Sequence, residues 1–444
     1  MKFLYNTIIL SAFFLLLPFL PFIYLFSEKR RANMLQRLGF VHLVRKKQFR
    51  KKRLWLHALS VGEVKSAVPL VNALKDRYFN DSDYELIITA STRTGFDMAR
   101  QLFLDSAQNS SKSGNGGMPV QIGYFPFDLT FSVKSICSRI DPELAIIVES
   151  DLWPQFLWYM NDKKIPVFLV NARVSESSFN GYMRFRKIKL FASIFSLFEK
   201  IMVQTEIDKE RFLRIGVSEA KVVAAGNIKF DQPVPKTDIP ELDIFEDSCF
   251  RYIIAGSTHQ GEEEILVSVF KELKDKLKFK DIKLIIAPRD PKRASDIIKM
   301  LKTKGILIAS KDDSKKNGAE SDNLIGQDII IIDKMGILAS LYSICDIAFV
   351  GGSLVPCGGH NPLEPALFSK PVIFGNHMED FKEISETMLS NEAAFMVKNR
   401  DELFATISMI LNNSELAGKI GQNGGRLVVN GRGAVEKILS IIAD

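Results

Sequence analysis

The chain has 444 residues, of which 46% are hydrophobic and 25% charged, with a formal net charge of +7. That is too much chain for one ordinary core, so two domains are expected, and the composition suits a globular protein with ample apolar content. The charge is local: residues 1–53 carry twelve Lys and Arg against one Glu, or +11, which leaves −4 for residues 54–444 and removes the case for nucleic-acid binding.

Residues 3–27 contain no charge and are long enough to cross a bilayer, with Glu28-Lys29-Arg30-Arg31 following at once. The positive-inside rule then places the body of the protein in the cytoplasm, and residues 1–28 are read as a membrane anchor. A basic cluster after the apolar run, with no small-residue cleavage site, does not fit a cleaved signal peptide. Pro18 and Pro21 leave an interfacial hairpin open beside a spanning helix. Residues 29–53 form a basic juxtamembrane segment interleaved with Leu35, Leu38, Phe40, Val41, Leu43, Val44 and Phe49, suited to an anionic membrane surface.

From residue 54 short apolar runs alternate with helical patterns. Parallel strands are expected at 54–59, 86–89, 120–125, 144–148, 167–170, 200–203 and 222–225, with helices at 63–78 and 96–104. Residues 231–240 hold three prolines without periodicity, so 231–245 is read as a linker between a domain at 54–230 and one at 246–444. A second series of strands follows at 252–255, 284–287, 306–308, 329–332, 347–350 and 372–374. The fold class is therefore α/β, two facing doubly wound Rossmann-like domains behind an N-terminal anchor. Polar residues 106–117 and 311–322 read as surface loops. Cys137, Cys249, Cys345 and Cys357 are scattered, without C-x-x-C spacing, and the five histidines make no H-x-x-x-H pair, which argues for a reducing compartment and against structural zinc.

The richest stretch is 351–375, strand, glycine-rich loop, helix start, strand. Gly351-Gly352-Ser353 and Gly358-Gly359 can bring backbone N–H groups close to an anion, and Pro362 marks a helix start that favours phosphate. Glu364 can accept hydrogen bonds from sugar hydroxyls, or simply serve the helix dipole. Ser60-Val61-Gly62-Glu63 ends the first strand with capping-box spacing. Glu149 ends another strand, where doubly wound sheets hold ligands, while Asp151 reads as the N-cap of a helix begun by Pro154, with Trp153 half-buried. Lys229 closes the last strand of the first domain. Gly256-Ser257-Thr258-His259 and Pro288-Arg289 end strands of the second.

The block Gly351-Gly352-Ser353-Leu354-Val355-Pro356-Cys357-Gly358-Gly359-His360-Asn361-Pro362-Leu363-Glu364-Pro365 resembles the donor-site signature of the 3-deoxy-D-manno-octulosonate (Kdo) transferases of lipopolysaccharide synthesis. The resemblance continues in the same order through Leu56-His57-Ala58-Leu59-Ser60-Val61-Gly62-Glu63-Val64, Glu149-Ser150-Asp151-Leu152-Trp153-Pro154, Asn171-Ala172-Arg173-Val174-Ser175, Gly226-Asn227-Ile228-Lys229-Phe230-Asp231, Ala255-Gly256-Ser257-Thr258-His259 and Pro288-Arg289. It departs at Cys357, where the family has a basic residue, and at Asp290, where it has His, both beside the implied nucleotide site.

The resemblance implies a membrane-bound glycosyltransferase of the GT-B fold at the bacterial inner membrane, facing the cytoplasm. It would transfer Kdo from CMP-Kdo to a lipid A precursor (lipid IVA) with inversion; another nucleotide-sugar on a membrane lipid is the alternative. By the same resemblance Glu63 is the catalytic base, while Glu149 and Lys229 support the transition state. Pro288, Arg289, Met335, Gly336, Ile337, Asn361, Pro362, Leu363 and Glu364 would bind CMP-Kdo. Arg173 is a weaker candidate for an acceptor phosphate or carboxylate. No Asp-x-Asp site stands at a strand end of the second domain, so no metal or cofactor is expected. A nucleotide-sugar binding protein without catalysis is the competing class, and the presence of Glu63 and Lys229 weighs against it.

Overall fold

The computed structural model describes residues 2–16, 28–48, 51–78, 83–105, 119–149, 151–184, 189–235, 237, 242, 249–277, 279–303, 308–310 and 327–443. The chain divides into two compact units, Met1–Gln232 with Gly431–Asp444, and Pro233–Asn430. The expected surface loops at 106–117 and 311–322 lie outside the described residues, as does most of the expected linker beyond Thr237.

Unit 1 is a seven-stranded sheet of β1 (Lys52–His57), β2 (Tyr84–Ala90), β3 (Val120–Tyr124), β4 (Leu144–Val148), β5 (Val167–Ala172), β6 (Lys200–Val203) and β7 (Val222–Ala224), in the order β3-β2-β1-β4-β5-β6-β7. Every pairing is parallel. Side chains alternate across β1 as the two-residue period requires: Leu54 and Leu56 enter one apolar cluster, Trp55 the other. A sheet buried on both faces explains why these strands read as continuous apolar runs.

The expected helix at 63–78 is two helices, Val61–Ser66 and Val68–Arg77. Pro69, in the first turn of the second helix, has no N–H to continue the ladder from the first. Over 96–104 the structure has the helix Arg93–Arg100 followed by a π-turn, Gln101–Asp105.

Unit 2 repeats the plan with β8 (Arg251–Thr258), β9 (Ile282–Pro288), β10 (Ile308–Ser310), β11 (Ile329–Ile331), β12 (Ile347–Val350), β13 (Val372–Gly375) and β14 (Phe395–Val397), in the order β10-β11-β9-β8-β12-β13-β14. The edge strand β14 has no counterpart among the expected elements; three residues are too few to show a period.

Three expectations change. The tail 431–444, expected in the C-terminal domain, belongs to unit 1. Its helix Ala434–Ala443 places Ala434, Val435 and Ile438 in the cluster that holds Leu54 and Leu56. Asp231, expected to open the linker, fixes that tail: its carboxylate accepts the Gly433 and Val435 N–H groups, both at 2.7 Å. The basic stretch is also partly structural. Arg53 is 1% exposed, paired with Glu85 at 2.7 Å and donating to the Arg139 and Ile140 carbonyls. Arg37 donates to the Phe125 and Ser91 carbonyls and lies 4.2 Å over the Phe127 ring.

Of the expected membrane segment, the structure describes the helix Lys2–Leu16; residues 17–27 lie outside the described residues. Among the described residues no helix is long and apolar enough to cross a membrane. The Tyr5 hydroxyl donates to Asp128 at 2.7 Å, and Lys2 pairs with Asp162 at 2.6 Å, so this helix is tied to unit 1.

Because Asp231 satisfies two N–H groups at the start of the last helix, Asp231→Ala should lower the stability of unit 1 by about 1–2 kcal/mol. Hydrogen exchange should show faster amide loss concentrated in residues 434–443. Unchanged protection there would show that the tail does not depend on this cap.

Candidate functional site

In each sheet the strand order reverses beside one central strand, β1 with β4 in unit 1 and β8 with β12 in unit 2. The crevice outside the carboxyl ends at such a switch point is where doubly wound sheets place ligands. The candidate residues collect at these two places, one in each unit.

In unit 1, β1 runs into Ser60, the N-cap of the helix Val61–Ser66. Glu63 lies in its first turn and is 8% exposed. The capping box is displaced by one residue: the Glu63 carboxylate accepts the N–H of Leu59 at 2.5 Å and not that of Ser60. The Ser60 hydroxyl stands 3.5 Å from the other carboxylate oxygen. A Cβ at Gly62 would meet only Ser60 Oγ, at 3.9 Å, so the space beside Glu63 is open. Burial, then Asp151, then Glu149 push the Glu63 carboxyl well above the usual carboxylate range, against the Leu59 and Ser60 hydrogen bonds.

Glu149 follows β4 with φ 66°, left-handed backbone that strains a residue bearing a Cβ by about 1–3 kcal/mol. Its N–H is held by the Val170 carbonyl at 2.8 Å. Lys229 Nζ approaches Glu149 Oε1 at 3.9 Å, with both side chains largely covered. Lys229 rides on the 3-10 turn Ile228–Asp231, which a chain of amides positions. Asn171 Oδ1 accepts the Ile228 N–H at 3.1 Å, the Asn171 carbonyl accepts from Gln204, and Gln204 Oε1 accepts from Asn227. Asn171 is itself left-handed, φ 54°. The three expected catalytic residues, Glu63, Glu149 and Lys229, thus stand at the carboxyl end of one sheet. Arg173 is half-buried just after β5.

Asp151 departs from its expected role. The helix Pro154–Asp162 is capped by Asp128, which accepts the Gln155 and Phe156 N–H groups at 3.0 Å each. Asp151 Oδ2 instead points at His57 Nε2, 3.8 Å away, and burial, then Glu149, raise its carboxyl pKa to about 6. Trp153 is half-buried, as expected. His57 is a residue that sequence reasoning missed. It is 1% exposed at the end of β1, donates through Nδ1 to the Thr89 carbonyl at 3.0 Å, and stacks on Phe125 at 3.8 Å between ring centroids. Burial drives its pKa down to about 3. Its sequence signals are a polar residue closing an apolar strand and a place, without a role, in the family-like block 56–64.

In unit 2 the glycine-rich loop binds an anion, but the anion is the protein's own. Glu262 is fully buried and its carboxylate accepts the N–H groups of Gly352 at 2.7 Å, Ser353 at 3.0 Å, Leu354 at 3.0 Å and His259 at 2.9 Å. These are the donors that the sequence pattern offered to phosphate. Glycine is needed here for close approach: a Cβ on Gly351 would lie 2.5 Å from the Ser257 carbonyl oxygen, and one on Gly375 would lie 2.0 Å from that of Ser353. Beside it Glu263, 2% exposed, pairs with Arg293 at 2.7 Å and accepts from Thr258.

The helix expected after Pro362 is one turn, Leu363–Ala366, with Pro362 as N-cap. Its first N–H, that of Leu363, is already bound by Asn361 Oδ1 at 3.1 Å. Burial pushes the Glu364 carboxyl up to about 7, opposed by Asn361 and by the charge of Arg289, which places these three side chains in one neighbourhood. Pro288, Ile337, Pro362 and Leu363 are buried, whereas Arg289, Met335 and Gly336 are exposed at the same end of the sheet. Asp290 is exposed and caps Lys292, and Cys357 is exposed on the loop.

Residues 32–232 match the family model described as 3-deoxy-D-manno-octulosonic-acid transferase (kdotransferase). The chain is 30% identical over 446 residues to a 3-deoxy-D-manno-octulosonic acid transferase of Haemophilus influenzae, covering 99% of this chain and 98% of that one. It is 34% identical over 369 residues to a bifunctional glycosyltransferase/methyltransferase of Fusobacterium nucleatum, and there the match takes in 81% of this chain but about half, 52%, of the relative. In fold it is similar to a solved structure assigned as UDP-N-acetylglucosamine 2-epimerase from Listeria monocytogenes, with TM-score 0.52 and 15% identity over 88% of this chain and 96% of that one.

The Glu262 carboxylate accepts the Gly352–Leu354 N–H groups, so Glu262→Gln turns one acceptor oxygen toward them into a donor. It should destabilise unit 2 by about 2–3 kcal/mol, the range for a buried hydrogen bond to a charged group. Urea unfolding followed at a unit 2 reporter checks this. A midpoint equal to wild type would mean that the loop does not rely on the internal carboxylate.

Proposed function

Because the chain belongs to the 3-deoxy-D-manno-octulosonic acid transferases, glycosyltransferases of lipopolysaccharide synthesis, we propose that it moves Kdo from CMP-Kdo to a lipid A precursor such as lipid IVA, with inversion. The observation that carries this reading is the grouping of Glu63, Glu149 and Lys229 at the carboxyl end of the unit 1 sheet. A hydroxyl of the acceptor attacks the anomeric carbon, Glu63 takes its proton, and the bond to the CMP oxygen breaks with its electron pair leaving on CMP. Attack opposite the leaving group inverts the centre.

A base held in an apolar setting with a raised pKa is well matched to an alcohol. Glu149, strained into place and half-neutralised by Lys229, supplies negative potential for positive charge developing on the sugar ring. In unit 2, Arg289 offers a mobile guanidinium to phosphate or base, while Asn361 and Glu364 offer polar groups to sugar hydroxyls. Met335, Gly336 and Ile337 present backbone and apolar surface beside them. The Gly352–Leu354 N–H groups serve Glu262, so their part in donor binding is to shape the site.

We also assign the protein to the cytoplasmic face of the bacterial inner membrane. The support is the uncharged run 3–27 and the exposure of Phe40, Val41 and Leu43 next to exposed Arg45 and Lys46. That surface would gather an anionic lipid acceptor.

Glu63→Gln should cut transfer by about 10²–10⁴-fold while leaving CMP affinity by calorimetry near that of wild type. Mass spectrometry of the product from CMP-Kdo and a tetraacylated lipid A precursor provides the assay. A mass gain of whole Kdo units on the lipid is expected, and none with the wild-type protein would overturn the reading. Activity within about threefold of wild type would remove Glu63 from the role of base.

The protein is also expected to bind vesicles containing anionic lipid, and to release as salt rises, since screening shortens the reach of exposed charge to about 10 Å at 0.1 M. Replacing Arg45 and Lys46 together with Ala should weaken that binding. Salt-independent binding to neutral vesicles would assign attachment to the apolar run alone.

A further inference from the structure

Two buried acceptors face each other in unit 1 with no donor between them. His57 Nδ1 is 3.0 Å from the Thr89 carbonyl oxygen, which can only accept, and 3.2 Å from the Thr89 hydroxyl, whose oxygen accepts from Trp55; a proton on Nδ1 serves the nearer carbonyl and leaves Nε2 with a bare lone pair. That lone pair points at Asp151 Oδ2, 3.8 Å away. Both atoms are buried and neither has a hydrogen-bond partner among the described residues. An ionised Asp151 would leave two desolvated lone pairs opposed, which costs free energy on both sides. One proton on Oδ2 satisfies both, once a turn of the carboxyl closes the gap by roughly 1 Å to hydrogen-bond range.

Glu63 shows the opposite arrangement. Its two oxygens face donors, Leu59 N–H at 2.5 Å and the Ser60 hydroxyl at 3.5 Å, which suit a carboxylate. We infer that Glu63 and Asp151 hold one proton between them, and that it rests on Asp151, where His57 Nε2 accepts it.

The groups around the pair pull in both directions: burial, Asp151 and Glu149 push the Glu63 carboxyl up to about 9, while burial and Glu149 push Asp151 up to about 6, an order that favours Glu63, and it is the bare Nε2 lone pair facing Oδ2 that draws the proton to Asp151. Glu149 raises both carboxyls, and Lys229 offsets Glu149. Burial, and then Arg37, disfavour a proton on His57, and burial keeps Tyr182 a neutral phenol. The Trp153 indole N–H also favours charge on Asp151. Asp151 is thus a positioning residue: by staying neutral it lets Glu63 remain ionised near neutral pH, ready to take a proton. This deepens the Kdo-transfer reading and rests on it for that consequence, whereas the location of the proton does not depend on turnover.

Infrared difference spectra of the full chain at pH 7 test it. Wild type minus Asp151→Asn should show the carbonyl stretch of a protonated carboxyl. Wild type minus Glu63→Gln should show only carboxylate bands. The reverse pattern, or no protonated-carboxyl band from either residue, would overturn the assignment. Should Asp151→Asn fail to fold, the wild type minus Glu63→Gln difference decides alone: a protonated-carboxyl band in it would place the proton on Glu63 and overturn the assignment.

The pH–rate profile gives a second readout. Asn replaces one neutral group by another and keeps a donor for His57 Nε2, so the acid limb set by Glu63 should stay in place. A fall of that limb by about a unit or more would mean that a charge had been removed beside Glu63, and that Asp151 had been ionised. Absence of Kdo transfer by the wild-type protein would refute the proposed function and leave the infrared answer standing.

Discussion

Three acids, Glu63, Glu149 and Asp151, share the carboxyl end of one parallel sheet, with Lys229 at salt-bridge distance from Glu149. A partly desolvated space does not hold three like charges on one counter-charge, so the proton inventory of this place governs what it can do. The surroundings bear on that constraint. The amide chain through Asn171, Gln204 and Asn227 holds the turn that carries Lys229. The left-handed backbone at Glu149 points its carboxylate toward that lysine at a cost in strain. His57, neutral and buried, provides an acceptor beside Asp151. Glu63, in the first turn of a short helix beside a glycine, is the acid left with open space next to it.

Unit 2 answers a similar electrostatic problem differently. Its glycine-rich loop converges several N–H groups, and Glu262 closes them with a carboxylate from the neighbouring helix. The loop is thereby a rigid corner joining the ends of β8, β12 and β13. Ser353 bridges the Val350 carbonyl and the Gly375 N–H, and the glycines allow the backbones to touch. Under the proposed function, ligand contacts would then fall to the side chains and exposed backbone around that corner: Arg289, Met335, Gly336, Asn361 and Glu364.

Much of the fold was legible because parallel strands buried on both faces must be apolar runs, and thirteen such runs stood out from the helices between them. The β14 edge was not, since it is three residues long, nor was the return of the tail to unit 1. A helix such as Ala434–Ala443 announces an apolar face but not the surface that will cover it. The site residues carried by family-like blocks, Glu63, Glu149 and Lys229, were legible by number. The partners that define their chemistry were less so. Asn171 and Asn227 sat inside those blocks without a role, and Gln204 outside them.

The sequence by itself determined the α/β alternation, the two-unit plan, the family, and which acids and bases lie at strand ends. These follow from local periodicity and from residue types at fixed spacing, which survive in one dimension. Only the tertiary structure decided which anion the glycine loop holds, which acid caps the helix after Pro154, and which carboxylate faces His57. Each of those pairs residues far apart in the chain: Glu262 with Gly352, Asp128 with Gln155, Asp151 with His57. Their meeting is fixed by strand order and by the burial of side chains around it. A carboxylate's role depends on the donors and charges within a few ångströms, and that neighbourhood exists only once the sheet has formed.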